Sequence, residues 1–152
     1  MSIAMILPAV IEMPQGSNYK YEADKYDGRL LLHRVINQKI PHNYGYIENT
    51  LGEDGDPLDV FIISSSPIPP LTKVKCSVVL ALKCIDKGEV DDKLIAIIDG
   101  DPEFENKNLD VEVERILLYL RTYKEGFIVK EKVDSKAAFD IIQKCTDAWI
   151  NK

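Results

Sequence analysis

Three aspartates in one short segment have the spacing that most directly suggests chemistry. Asp54, Asp56 and Asp59 lie within six residues, immediately before the apolar run 60–63. Because Asp-Gly and Asp-Pro pairs favour turns, Asp54 and Asp56 alone are compatible with an ordinary turn. Asp59 is different, since a strand here places apolar neighbours on both of its faces, and a buried carboxylate is costly unless it is paired or metal-bound. The segment therefore predicts a metal-binding loop.

The chemistry of the loop favours a hard divalent cation. Mg²⁺ binds few protein carboxylates and completes its octahedral shell with water and phosphate oxygens. A second acidic group, which contains Asp86 and Asp91, joins two predicted strands as a hairpin loop. Taken alone, that group is more typical of a solvated turn. Lys20 and Glu22 share one face of another predicted strand, where a surface ion pair is the simplest interpretation.

Cationic and hydroxyl side chains that are suited to phosphate are dispersed along the chain. Arg34 lies in an apolar predicted strand, which favours a guanidinium that emerges at a barrel mouth and binds an anion through two hydrogen bonds. A buried structural ion pair is the alternative. The whole set comprises Lys20, Arg34, Lys93 and Lys124 together with Tyr44 and Tyr123.

The elements that must position these groups are mostly strands. Apolar residues alternate at period two across 73–85, which predicts one buried face. Residues 43–46 read as a turn in which a glycine permits a tight bend between two tyrosines. The predicted strands are 9–13, 18–23, 29–35, 57–63, 73–85, 93–98 and 127–133.

Helical spacing is confined to the last third of the chain. One helix is predicted over 110–123, and a second begins after Asp134 and Ser135, which suit a helix N-cap. In the second helix, Trp149 is predicted to be a core anchor. Strands first and helices last favour a barrel with helices packed against it, a mainly β, α+β fold.

Composition limits the classes of function. A chain of 152 residues fits one domain, 1–152. Its net charge of -6 disfavours nucleic-acid binding, which needs surplus Lys and Arg. Three cysteines without a C-x-x-C pair indicate neither disulfides nor a zinc site and favour a reducing, cytoplasmic location. Since no apolar run approaches the roughly 18 residues of a membrane span, no membrane partner is expected.

The segment 54–60, Asp-Gly-Asp-Pro-Leu-Asp-Val, resembles the signature of the family I soluble inorganic pyrophosphatases. Other parts of the chain match the family in the same order, from about residue 9 to 133. The resemblance implies an OB-like five-stranded β-barrel with two main flanking helices. It also implies Mg²⁺-dependent hydrolysis of pyrophosphate to two phosphates by metal-activated water, with several Mg²⁺ ions in the site. The compact chain is similar to the bacterial form, so a homo-hexamer is expected.

The resemblance also implies a role for each matching residue. Asp56 would be the general base, Glu12 would tune the metal-bound water without binding a metal itself, and Lys93 would support both the second acidic loop and the phosphate. The expected metal ligands are Asp54, Asp59, Asp86, Asp91 and Glu22. The expected phosphate ligands are Lys20, Arg34, Tyr44, Lys93, Tyr123 and Lys124, with Lys20 and Arg34 also assisting catalysis.

Three departures from the family pattern leave an alternative open. Ile40 stands where a tyrosine is usual, Glu48 stands where proline is frequent, and the segment after Lys124 lacks the usual Lys-Trp pair. A metal- or phosphate-binding OB-like module with weak or no catalysis is the alternative function.

Overall fold

The computed structural model describes residues 5–23, 27, 29–35, 38–101, 108–122 and 124–152. Tyr123 therefore lies outside the described residues. The elements in chain order are β1 (Met5–Met13), β2 (Tyr19–Ala23), β3 (Leu30–Val35), β4 (Asn43–Ile47), β5 (Asp59–Ile63), β6 (Lys73–Asp86), β7 (Glu89–Val90), β8 (Lys93–Ile98), α1 (Leu109–Thr122), β9 (Phe127–Val133) and α2 (Ser135–Ile150).

Five of the described strands close into a barrel. Hydrogen-bonded neighbours follow the order β1-β4-β5-β8-β6, and β6 pairs back onto β1. The β5–β8 pair is parallel, whereas the other barrel pairs are antiparallel. The OB-like five-stranded barrel with two flanking helices is thus confirmed. Strands β2 and β3 form a separate two-stranded sheet, and β9 extends the barrel sheet beside β6.

The prediction of a turn at residues 43–46 is wrong, because these residues belong to β4. Gly45 is needed for close approach rather than for a bend. It pairs with Ile11 of β1, and a Cβ at this position would lie only 1.9 Å from the carbonyl oxygen of Val10. Glycine inside a strand marks such a site, where another backbone comes very near.

Two hydrophobic cores share strand β5. Phe61 and Ile63 belong to the core covered by α1, whereas Val60 and Ile62 belong to the core covered by α2. Because side chains alternate along a strand, Asp59 lies on the same face as Phe61 and Ile63. The carboxylate is therefore held at the rim of the α1 core, as the apolar neighbours on both faces predicted.

Two details of the predicted packing differ in the structure. The period-two pattern of β6 is interrupted by a bulge between Val78 and Leu80, after which Ala81 is buried. Trp149 is not a core anchor. It is half-buried in the last turn of α2, where the Lys152 ammonium lies 4.5 Å from the centre of its ring. Neither described helix is long and apolar enough to cross a membrane.

The N-terminus of α2 carries the predicted cap, and its removal has a measurable cost. Asp134 accepts a hydrogen bond from the backbone N–H of Ala137 at 3.0 Å. Asp134→Ala is expected to lower the free energy of unfolding by about 1 kcal/mol, because one N–H at the helix end loses its acceptor. Urea unfolding measures this, with Asp134→Asn as the control that keeps an acceptor. Equal losses in both variants would contradict the capping role.

Candidate active site

Lys93 is the centre of a buried polar cluster at one end of the barrel. Its side chain is 2% exposed. The ammonium donates to the Tyr44 hydroxyl at 2.8 Å and contacts carboxylate oxygens of Asp59 at 3.0 Å and Asp91 at 3.4 Å. A lysine this deeply buried must be compensated by opposite charge, which the two aspartates supply.

The strand register explains why these residues meet. In the parallel β5–β8 pair, Asp59 stands opposite Lys93 at the start of both strands. In the antiparallel β4–β5 pair, Tyr46 stands opposite Asp59, so Tyr44 lies two residues farther along the same face of β4. Asp91 lies two residues before β8, and its backbone N–H donates to the carbonyl of Cys84 in β6 at 2.9 Å. Three strands thus bring together groups that are far apart in sequence.

The two aspartates beside Lys93 have opposite pKa shifts. Burial opposes ionisation of Asp59, but the Lys93 charge and hydrogen bonds from Lys93, Asp91 and Tyr44 outweigh it and lower the pKa. Burial raises the pKa of Asp91 to about 6, and nearby Asp59 adds to the rise although Lys93 opposes it. One proton shared by the two carboxyl groups and carried by Asp91 accounts for both pKa shifts. Above about pH 6, where Asp91 loses this proton, the cluster carries one more negative charge than Lys93 neutralises.

The three-aspartate segment is a tight loop next to this cluster. The carboxylate of Asp54 accepts the backbone N–H of Asp56 at 3.0 Å, and Gly52 N–H donates to the carbonyl of Asp56 at 2.7 Å. Gly55 adopts φ +87°, which favours glycine. Burial raises the pKa of Asp54, and the charges of Asp56 and Asp59 add to the effect. Asp56 itself is exposed, where it can meet a substrate.

Thr50 joins the two ends of this loop, although no sequence motif marks it. The Thr50 hydroxyl donates to the carbonyl of Ile47 at 2.7 Å and accepts the N–H of Leu58 at 3.0 Å. Leu51 N–H also donates to the carbonyl of Cys145 in α2 at 3.0 Å. A threonine that bridges the two ends of a loop has no pattern in the sequence, because its partners depend on the loop's conformation.

A second ion pair joins β6 to the chain entering β9. The Lys124 ammonium lies 2.6 Å from a carboxylate oxygen of Asp86. The register places Phe127 opposite Asp86, and Lys87 N–H donates to the carbonyl of Gly126 at 2.9 Å. The other carboxylate oxygen of Asp86 is buried without a hydrogen-bond partner in the described part of the chain. This oxygen is suited to bind a cation.

The other predicted site residues are placed less completely. Lys20 stands opposite Arg34 in the β2–β3 pair, and Glu22 stands opposite Leu31. The side chains of Glu22 and Arg34, and the whole of Tyr123, lie outside the described residues. Glu12 lies at a bulge in the β1–β4 pairing, and with Glu48 it helps burial to raise the pKa of Tyr46.

The donor chemistry fits a hard divalent cation. Carboxylate oxygens predominate, burial and then repulsion among them raise the pKa values of Asp54 and Asp91, and one buried oxygen of Asp86 has no partner among the described residues. In this same part of the chain, no three His, Cys, Asp or Glu side chains form a ready-made metal cage. Mg²⁺ does not need such a cage, because it is usually held by one or two carboxylates with water and phosphate oxygens.

Comparison with known proteins identifies the family. A family model described as inorganic pyrophosphatase matches residues 9–150. This chain belongs to the inorganic pyrophosphatase family. The inorganic pyrophosphatase of Mycoplasma genitalium is 38% identical over 143 residues, which cover 90% of this chain and 77% of that protein. That of Halalkalibacterium halodurans is 41% identical over 151 residues, which cover 92% and 93%.

Solved structures agree with this assignment. The inorganic pyrophosphatase of Helicobacter pylori has a TM-score of 0.86 and is 34% identical, with 95% of this chain and 93% of that chain covered. The family match includes every residue of this pyrophosphatase that was singled out above, from Glu12 to Lys124. The resemblance inferred from segment 54–60 is therefore confirmed at the level of family and fold.

Proposed function

We propose that this pyrophosphatase hydrolyses inorganic pyrophosphate to two phosphates with Mg²⁺ as its divalent cation. The observation that carries the proposal is the cluster at the barrel end, in which Lys93 contacts Tyr44, Asp59 and Asp91. It provides a cation and a hydroxyl for phosphate oxygens beside carboxylates for metals. Membership of the inorganic pyrophosphatase family supports the choice of substrate.

The side chains of the site fall into metal ligands, a general base and phosphate ligands. The cations would be held by Asp54, Asp59, Asp86, Asp91 and Glu22, and Glu12 of β1 would tune the water bound to them. When bound, such cations neutralise phosphate oxygens and make water more acidic. The exposed carboxylate of Asp56 would orient the attacking water and accept its proton. The phosphate groups would be bound by Lys20, Arg34, Tyr44, Lys93, Tyr123 and Lys124.

Charge placement is the main source of rate acceleration in this scheme. The leaving phosphate gains negative charge as the phosphoanhydride bond breaks, and fixed ammonium groups stabilise it without reorganisation. Lys93 is held by three partners, so its position is set before substrate arrives. Lys124 lies beside Asp86, which belongs to the same acidic group as Asp91. These two lysines come from different parts of the sheet and would contact different phosphate oxygens.

One observation favours binding without efficient turnover as a second candidate. Ile40 is buried in the α1 core, where it contributes no hydroxyl to the site. A site that lacks one phosphate ligand retains its carboxylates but loses part of its transition-state stabilisation.

Phosphate release from different substrates distinguishes the candidates. Purified protein with Mg²⁺ is incubated with pyrophosphate, with ATP and with a phosphate monoester. The proposed function predicts rapid release from pyrophosphate and at least about 100-fold slower release from the other two, because their organic groups occupy positions meant for metal-bridged phosphate oxygens. Calorimetric binding of pyrophosphate without release would support the binding module instead.

Three further properties are proposed on the same basis. The chain would act as a single domain, 1–152, in the cytoplasm, and would assemble as a homo-hexamer. Light scattering on purified protein tests the assembly. A mass six times that of the 17.2 kDa chain is expected, and a monomer would contradict it.

Divalent metal is expected to stabilise the protein, more strongly at higher pH. Burial raises the pKa of Asp91 to about 6, so protons compete with a cation for this carboxylate below that pH. The rise in unfolding temperature caused by Mg²⁺ should therefore be large at about pH 8 and small at about pH 5. Thermal melts with Mg²⁺ and with EDTA measure it. An equal rise at both pH values would contradict the assignment of Asp91 as a ligand.

A further inference from the structure

A buried hydrogen-bonded pair lies outside the metal and phosphate groups. The Nε2 atom of His42 lies 2.8 Å from a carboxylate oxygen of Glu112. The side chain of His42 is 2% exposed and that of Glu112 is 11% exposed. His42 immediately precedes β4, and Glu112 lies in the first turn of α1. The pair therefore joins the start of a barrel strand to the start of the helix that covers it.

Such a pair is a costly way to fill a core. Burying a carboxylate requires compensation, and apolar side chains of similar volume often stabilise a fold equally well or better. A hydrogen-bonded pair differs from apolar packing in that its donor and acceptor must meet at a defined distance and angle. The first turn of α1 also favours a carboxylate through the helix dipole. The pair is thus suited to fixing where α1 lies along β4.

The same strand carries a phosphate-binding candidate two residues later. Tyr44 faces α1, since it belongs to the core that includes Val113 and Ile116 of α1, and His42, just before β4, reaches α1 through Glu112. The Tyr44 ring lies 4.8 Å from that of Phe61, which in turn meets Tyr119 of α1 at 6.4 Å. A shift of α1 would therefore change the packing around the Tyr44 ring.

We propose that His42 and Glu112 are positioning residues, which hold α1 and β4 in register so that the Tyr44 hydroxyl meets Lys93 and substrate phosphate. This inference rests on the proposed function, because Tyr44 acts there as a phosphate ligand. In this scheme neither His42 nor Glu112 is a metal or phosphate ligand. Their effect is transmitted through Tyr44, whose hydroxyl accepts from Lys93 at 2.8 Å.

The test compares variants that break the His42–Glu112 pair with a control variant that weakens the core covered by α2. His42→Ala and Glu112→Ala remove the pair, whereas Glu112→Gln keeps an oxygen that accepts from His42. Ile142→Ala truncates a buried residue of α2. It lowers the stability of the core covered by α2 without changing a residue of α1. If His42→Ala does not fold, His42→Asn replaces it, because that side chain is polar but too short to reach Glu112.

Two measurements separate positioning from general stability. The first is KM and kcat for pyrophosphate, and the second is the ¹³C NMR signal of the Tyr44 ring, assigned with Tyr44→Phe. Both alanine variants are expected to raise KM by about 10-fold with a smaller change in kcat, and to shift the Tyr44 signal. Glu112→Gln should stay within about 2-fold of the parent KM, since it keeps the hydrogen bond. Ile142→Ala should lower only the unfolding temperature.

The outcomes distinguish this inference from the proposed function. If the alanine variants match Ile142→Ala, with a lower unfolding temperature but an unchanged KM and Tyr44 signal, the positioning role is overturned. If the parent releases no phosphate, the proposed function fails, and the Tyr44 signal alone decides the inference. A shift in both alanine variants but not in Ile142→Ala would still support it.

Discussion

Asp59→Asn is expected to lower kcat for pyrophosphate by about 10³-fold, the order of effect that follows from losing one preorganised charged group in an active site. Asp59 is the residue on which the cluster depends, because it contacts Lys93 at 3.0 Å and lies beside both Asp91 and Asp54. Asparagine keeps the volume but removes the charge that compensates Lys93 and would bind metal. Initial rates of phosphate release at saturating Mg²⁺ measure the loss.

The matched control is Asp147→Asn, an exposed carboxylate on α2 that accepts only a local hydrogen bond from Gln143 among the described contacts. This variant should retain the parent rate within about 2-fold, because surface substitutions rarely change more than local stability. Asp59→Asn with a rate near that of Asp147→Asn would contradict the assignment of Asp59 to the site, even if the protein hydrolysed pyrophosphate.

Lys93→Met is expected to have the largest effect on stability. Removing the ammonium leaves Asp59 and Asp91 buried without their cation, and breaking a buried ion pair typically costs about 3–5 kcal/mol. For a chain of this size, the unfolding temperature in EDTA should fall by about 6–20 °C. Calorimetry on the metal-depleted protein measures it.

The pH dependence of this variant has a definite sign. In the parent, the lowered pKa of Asp59 costs stability only below the unfolded pKa of an aspartate, so between about pH 7 and 5 the raised pKa of Asp91 gives a gain in stability as pH falls. In Lys93→Met, burial without a cation would raise the pKa of both carboxylates above their unfolded values. The folded variant then binds more protons than the folded parent, and its stability should rise more steeply than that of the parent as pH falls from about 7 to about 5. If Lys93→Met instead became less stable as pH falls from about 7 to about 5, Lys93 would not be the charge that compensates these aspartates.

Much of the site was predictable because its main signals are local. The apolar neighbours of Asp59 within β5 revealed a carboxylate held at the rim of the α1 core, and the pattern of segment 54–60 identified the family. The boundaries of β8 and β9 were predicted correctly for a similar reason, since each is a short run bounded by charged or turn residues. Local patterns of this kind determine which face of a strand is buried.

The remainder depends on contacts between distant residues. Lys93 and Asp59 meet only because β5 and β8 pair in parallel, and His42 and Glu112 are 70 residues apart in sequence. Strand β4 was missed because Gly45 resembles a turn residue, whereas its real constraint is the carbonyl oxygen of Val10 on a neighbouring strand. No single-residue preference encodes these constraints, because each is created by the assembled barrel.

The most direct test of the central claim is phosphate release from pyrophosphate as Mg²⁺ is removed and restored. Purified protein is assayed with Mg²⁺, then with excess EDTA, then after Mg²⁺ is added back. The account predicts rapid release with Mg²⁺, no release above the uncatalysed rate with EDTA, and full recovery on adding Mg²⁺, because the acidic site binds a highly charged anion only with cations between them. No release with Mg²⁺, or an undiminished rate in EDTA, would contradict it.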